Sequence, residues 1–196
     1  ASLSLPADQR GGDGLRADVS KHGVVLGVFD GMGGYRAGEV ASRLAATTIA
    51  WQLGSAPGEA GDVSAARESL RGAVIAANAA ILAHVKADRG ATGAGSTVAV
   101  ATVTGATLIV AHVGNSRAYL LRAGEFAALT RDHTLATEQL VVSPDIPVEE
   151  LPRNILTRAL GVSDDVQVDV ATVPLRDGDT VLLCTDGVWE AVPGER

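Results

Sequence analysis

The residues Gly23-Val-Val-Leu-Gly-Val-Phe-Asp30-Gly31-Met32-Gly33-Gly34 constrain what this chain can fold into more than any other stretch. Val24 to Phe29 is an apolar run of strand length that stops at an aspartate, and three of the next four residues are glycine. Such a strand carries a carboxylate to the edge of a sheet, and glycines there let the backbone turn tightly and approach whatever the carboxylate binds. The arrangement returns near the other end, where Asp179-Thr-Val-Leu-Leu-Cys-Thr185-Asp186-Gly187-Val-Trp189 is again an apolar strand running into Asp-Gly. Taken singly, each is equally well an ordinary strand and turn with an acidic turn residue. Taken together, two strands ending in Asp-Gly can set two carboxylates side by side, and an oxygen-only ligand set suits magnesium or manganese rather than zinc.

Between these ends the periodicity changes several times. Arg36 to Leu53 reads as an amphipathic helix with Val40, Leu44, Thr48 and Trp51 on its apolar face. A second helix follows, with Val63, Ala66, Leu70, Ala73, Val74, Ala77, Ile81 and Val85 at three- and four-residue steps. Ser96–Thr104, Thr107–Val113, Arg117–Arg122 and Glu125–Leu129 are strand-like and joined by short glycine-containing turns, as in one antiparallel meander. Residues 132–161 form an irregular insert with one helical piece, Leu135 to Val142, and such inserts carry function. Val166–Val173 and the strand leading to Asp186 complete the order. His84 and Thr97 read as helix and strand residues with structural roles, Arg117 as the partner of a neighbouring acid, and His133 as a capping or turn residue outside the site.

With 196 residues, 46% of them hydrophobic, the chain supports one core and one domain. A formal charge of −7 argues against a general nucleic-acid binder. The single cysteine, Cys184, rules out an internal disulfide framework and points to a reducing cytoplasm, and no apolar run has the length of a membrane span.

In order along the chain, Val28-Phe-Asp-Gly-Met-Gly-Gly34, Ala37-Gly-Glu-Val-Ala-Ser42, Gly95-Ser-Thr97, His112-Val-Gly-Asn-Ser-Arg-Ala-Tyr-Leu120, Thr130-Arg-Asp-His-Thr134, Leu156-Thr-Arg-Ala-Leu-Gly161 and Leu182-Leu-Cys-Thr-Asp-Gly187 resemble the motifs of the metal-dependent protein phosphatases, the PPM or type 2C family, in its bacterial form. The resemblance implies an α-β-β-α sandwich, two antiparallel sheets flanked by helices, which agrees with the order of elements above. It implies a monomeric, cytoplasmic phosphoserine/phosphothreonine phosphatase that opposes Ser/Thr kinase signalling, with phosphorylated proteins as partners and neither nucleic acid nor membrane. Two divalent cations, Mn2+ or Mg2+, activate a water, so no side chain serves as nucleophile. Asp30 would bridge both ions, the Gly31 carbonyl would bind one, and Asp186 the other. Asp13, with Asp8 as the alternative, would touch the water shell of the metals, although Gly11-Gly12 stands where the family has Asn-Glu. Arg10 would hold the substrate phosphate. Asn115 replaces an aspartate that serves a third metal position, which argues against a third ion. Residues 132–161 would be the family's flap.

Relatives continue past the equivalent of Arg196 with a further metal-ligating aspartate, so residues 1–196 are expected to form a single phosphatase-type domain, C-terminally incomplete. Two other readings stay open: a catalytically impaired phosphatase-fold regulatory or binding module, favoured by Asn115 and the missing segment, and a calcium-binding structural protein, which has no use for the Gly-Met-Gly-Gly turn.

Overall fold

The computed structural model describes residues 14–20, 23–55, 62–143, 146, 151–152 and 154–192. The chain runs through β1 (Gly14–Ser20), β2 (Gly23–Phe29), β3 (Gly31–Met32), α1 (Tyr35–Ser55), α2 (Val63–Ala87), β4 (Gly95–Ser96), β5 (Val98–Thr104), β6 (Thr107–Val113), β7 (Arg117–Arg122), β8 (Glu125–Ala128), α3 (Leu135–Val142), β9 (Asp169–Pro174), β10 (Thr180–Cys184) and α4 (Asp186–Trp189). Five strands form one antiparallel sheet in the order β1-β2-β5-β6-β9, three form a second in the order β10-β7-β8, and β3 pairs with β4 in a short ladder.

Strands buried on both faces read as continuous apolar runs, and β5 and β6 do so because each of their faces meets a different layer. On one face Val98, Val100, Ile109, Ala111 and Val113 pack with Phe29 against Ala41, Ala45, Ile49, Leu70, Val74 and Ile81 of the helix pair. On the other, Ala101, Leu108 and Val110 meet Ala118 of the second sheet, with Val181 and Leu183 beside them. The far side of that second sheet carries Tyr119 and Cys184, on which Trp189 of α4 packs. The layers therefore run helices, sheet, sheet, helix, as the resemblance implied. The length and composition of α2 would also allow a membrane span, but Leu70, Val74 and Ile81 are buried in the core beneath it while Ile75 on the opposite face is exposed, as in an amphipathic core helix.

Four details differ from the sequence reading. The strand β1 was missed although Leu15, Ala17 and Val19 alternate with Arg16, Asp18 and Ser20 in the pattern of an amphipathic strand, because the glycine-rich residues before it read as one continuous turn region; it pairs with all seven residues of β2. The buried face of α1 is Ala41, Ala45 and Ile49, and Trp51 is 67% exposed, because small alanines let α1 sit close to α2 while the larger residues flank the contact. The strand expected over 166–173 begins only at Asp169. The supposed meander is broken between β6 and β7: the turn Gly114-Asn115-Ser116 carries the chain from the first sheet to the second. Asn115 and Ser116 of that crossover turn are buried and polar; Asn115 meets Asp186, and Ser116 meets Thr97, which in turn bonds the Asp30 backbone.

Candidate metal and phosphate site

Asp30 and Asp186 line one cavity of about 340 Å³, with Met32, Thr97, Asn115, Leu156, Thr157 and Arg158 among its walls. The strands that deliver them are not neighbours. β2 lies in the five-stranded sheet and β10 in the three-stranded one, so the two carboxylates converge across the sandwich rather than along one sheet edge.

The backbone of Asp30 is fixed twice by one residue. Its N–H donates to Thr97 Oγ1 at 3.1 Å, and its carbonyl accepts from the Thr97 N–H at 2.8 Å. Next along, Gly31 pairs with Ser96, and Ser96 in turn exchanges backbone hydrogen bonds of 2.9 and 3.1 Å with Leu160, so the segment 156–160 is stitched beside the Asp-Gly turn. Behind it, Asn78 of α2 is 2% exposed and anchors the same segment, accepting from the Gly161 N–H at 2.7 Å and donating to the Ser163 carbonyl at 2.8 Å.

Asp186 is held differently. It opens α4, whose N-cap is Thr185, and Asn115 Nδ2 donates to its Oδ2 at 3.0 Å. The Asn115 carbonyl accepts from Trp189 Nε1 at 3.1 Å, and Trp189 carries the Arg117 guanidinium over its ring at 3.6 Å. Arg117 makes a two-bond pair with Asp132 at 2.9 and 2.8 Å; burial opposes its charge, but that pair holds its pKa above the ordinary arginine value. The structural role read for Arg117 is thus observed. The residues that sequence reasoning passed over are Thr97, taken for a plain strand residue, and Asn115 as the hydrogen-bond donor to Asp186; the signal for Thr97 was its place in the small-residue run Gly95-Ser-Thr. Arg10 and Asp13 lie outside the described residues.

The donor set tests whether a divalent ion fits. Among the described residues lining the cavity the candidate ligands are carboxylate, amide and hydroxyl groups, with no histidine or cysteine, and two carboxylates share the space. Hard oxygen donors with negative charge are what magnesium and manganese require, so the residues fit these ions. A second group, His112, His133 and Asp169, brings three possible ligand atoms within 4.8 Å of one another. Its hydrogen bonds argue against an ion: the Gly114 N–H donates to His133 Nδ1 at 3.1 Å, which puts the ring proton on Nε2, the atom facing Asp169 at 3.2 Å.

The close approach of α1 makes the turn at Gly31 sensitive to its surroundings. A Cβ added at Gly38 would lie 2.8 Å from both the carbonyl carbon and the oxygen of Gly31. Gly38→Ala is expected to lower stability by about 1–3 kcal/mol through overpacking, against a gain of about 1 kcal/mol in helix propensity. It should also displace the Gly31 carbonyl, the metal ligand that the family resemblance implies, and so weaken manganese binding. Thermal unfolding and calorimetric titration measure the two effects, and a variant as stable and as metal-competent as the wild type would show that the turn has room to spare.

Known proteins place this architecture in a family. The model of the protein phosphatase 2C family matches residues 11–139, and the chain belongs to that family. By family it is a metal-dependent protein serine/threonine phosphatase, the first of the three readings above. It is 37% identical over 171 residues to the serine/threonine phosphatase stp of Listeria monocytogenes, covering 85% of this chain and 67% of that protein. It is 36% identical over 174 residues to the serine/threonine protein phosphatase PstP of Mycobacterium tuberculosis, covering 87% of this chain and 33% of that longer protein. Among solved structures, the catalytic domain of PstP in complex with two manganese ions superposes with a TM-score of 0.79 at 35% identity, over 100% of this chain and 79% of that one. The serine/threonine phosphatase of S. agalactiae superposes with a TM-score of 0.85 at 26% identity, over 100% and 81%.

Proposed function

We propose that the cavity between Asp30 and Asp186 is the site at which this chain hydrolyses phosphoserine and phosphothreonine in proteins, with two divalent cations, manganese or magnesium, held by Asp30, the Gly31 carbonyl and Asp186. The observation that carries the reading is the convergence of two carboxylates from opposite sheets on one cavity whose other described walls are neutral groups and Arg158. Two such ions, when bound, neutralise the phosphate dianion and make a water acidic enough to attack phosphorus. The protein's own part is positioning. Thr97 fixes the Asp30 backbone, and Asn115 turns one Asp186 oxygen toward itself and keeps that carboxylate oriented. Arg158 brings a positive charge to the cavity wall while tied to Asp169 Oδ1 at 3.1 Å.

Asp13 as a contact to the water shell of the metals and Arg10 as the phosphate-binding arginine belong to the same proposal. What supports Asp13 over Asp8 is adjacency: it precedes Gly14, and Gly14 pairs with Phe29, the residue before Asp30. Residues 132–161 serve as a flap whose Leu156, Thr157 and Arg158 reach the cavity. We place the protein in a bacterial cytoplasm, as a monomeric domain acting on Ser/Thr kinases or their targets. The test is phosphate release from a phosphothreonine peptide with manganese. Release that survives the double substitution Asp30→Asn with Asp186→Asn would refute the site.

A further inference from the structure

The crossover turn Gly114-Asn115-Ser116 is in touch with both halves of the proposed site. Asn115 donates to Asp186, and Ser116 Oγ lies 2.6 Å from Thr97 Oγ1, the atom that accepts the Asp30 N–H. The turn is tightly seated: Gly114 has φ +101°, and a Cβ there would lie 2.7 Å from Thr97 Cγ2. What holds the turn is a residue that does not line the cavity. His133 is 5% exposed; its N–H donates to the Gly114 carbonyl at 3.0 Å, and its Nδ1 accepts from the Gly114 N–H at 3.1 Å, so one residue satisfies both polar groups of Gly114. The His133 carbonyl accepts from the N–H of Thr157, a cavity-wall residue, at 2.9 Å.

We propose that His133 is a positioning residue for the metal site, a clasp that joins the crossover turn to the 132–161 segment and so fixes the spacing of Asp30 and Asp186. The clasp works only with Nδ1 bare. The Gly114 N–H sets this tautomer, and Asp169 of β9, facing Nε2 at 3.2 Å, accepts the proton the ring then carries there, while His112 of β6 stacks on the ring at 4.6 Å between centroids and Arg158 Nη1, itself only a donor, stands 3.3 Å from Nε2. These are the titratable and charged groups that face the ring from β6, β9 and the 154–161 segment. Burial first, then His112 and Arg158, outweigh Asp169 and keep the ring's pKa below the ordinary histidine value. A second ring proton would set two donors, Nδ1–H and the Gly114 N–H, against each other.

The inference rests on the proposed metal site, and the experiment separates the two. An asparagine side-chain oxygen reaches the place of Nδ1, whereas that of glutamine reaches nearer the place of Nε2. His133→Asn is therefore expected to keep manganese affinity and kcat near wild type, and to lose less of that affinity than wild type as pH falls below about 6.5. His133→Gln is expected to weaken manganese binding by roughly 10–100-fold, the usual cost of removing a group that orients ligands. Calorimetric manganese titration reads this without turnover. Equal affinity in wild type, His133→Asn and His133→Gln would overturn the clasp while leaving the site intact, provided Asp30→Asn abolishes binding in the same assay. If Asp30→Asn also binds as wild type, the site reading fails and the clasp with it. Should the variants fold poorly, the histidine nitrogen spectrum of the wild-type protein decides: at neutral pH Nδ1 of His133 must be unprotonated, and a proton found there would sink the inference.

Discussion

Asp30→Asn is expected to lower turnover on a phosphothreonine peptide by more than about a hundredfold, beyond the roughly 10–100-fold cost of disturbing a residue that only orients a ligand. The substitution is nearly isosteric and spares the bonds that hold the turn, since residue 30 contributes only its main-chain N–H and carbonyl to them, bonded to the Thr97 hydroxyl and N–H. The fold should survive, as near-ultraviolet circular dichroism would show. What is lost is one negative charge in a cavity whose other described carboxylate, Asp186, cannot by itself balance two dications. Cys184→Ser provides the contrast. Cys184 is 4% exposed against Tyr119 and Trp189 and is not among the described walls of the cavity, so serine is expected to alter packing with little change in kcat. Equal losses of turnover in two folded variants would refute the assignment of Asp30, and would reopen the question of a side-chain nucleophile.

The parts of this site that the sequence announced are those written in one short stretch. An apolar run ending in Asp-Gly is a local pattern, and it places Asp30 and Asp186 just past the ends of β2 and β10. The helix α2 was equally legible, because its buried residues Leu70, Ala73, Val74, Ala77 and Ile81 repeat on one face. Relations between distant residues were not. Thr97 and Asp30 are 67 positions apart, Asn115 and Asp186 are 71 apart, and no periodicity ties either pair together. The break between the sheets at Gly114-Asn115-Ser116 escaped notice for a related reason: a glycine-containing turn looks alike whether it folds a hairpin back or carries the chain to another layer. Only the packing of Val110 against Ala118 across the sandwich reveals which it is. The face of α1 was misread because alanine contributes little to an apolar pattern, yet Ala41 and Ala45 are the residues whose small size admits α2.

Removal of divalent metal is expected to abolish activity outright and to soften the fold, and the second effect is as informative as the first. An ion that binds the native state and not the unfolded chain stabilises by RT ln(1 + [L]/Kd), about 2.7 kcal/mol when its concentration is 100 times Kd. For a chain of 196 residues that corresponds to a rise in Tm of roughly 5–10 °C. Excess EDTA should therefore lower Tm by that amount, and manganese should restore it along with turnover. The stabilisation should come from ions bound by Asp30 and Asp186, which line the same cavity, so in Asp30→Asn the same titration should move Tm much less. Differential scanning calorimetry on the two proteins, with and without manganese, makes the comparison directly. A wild-type protein that keeps full activity in excess chelator would remove the metal from the mechanism. An equal manganese shift in Asp30→Asn would place the ion elsewhere in the molecule.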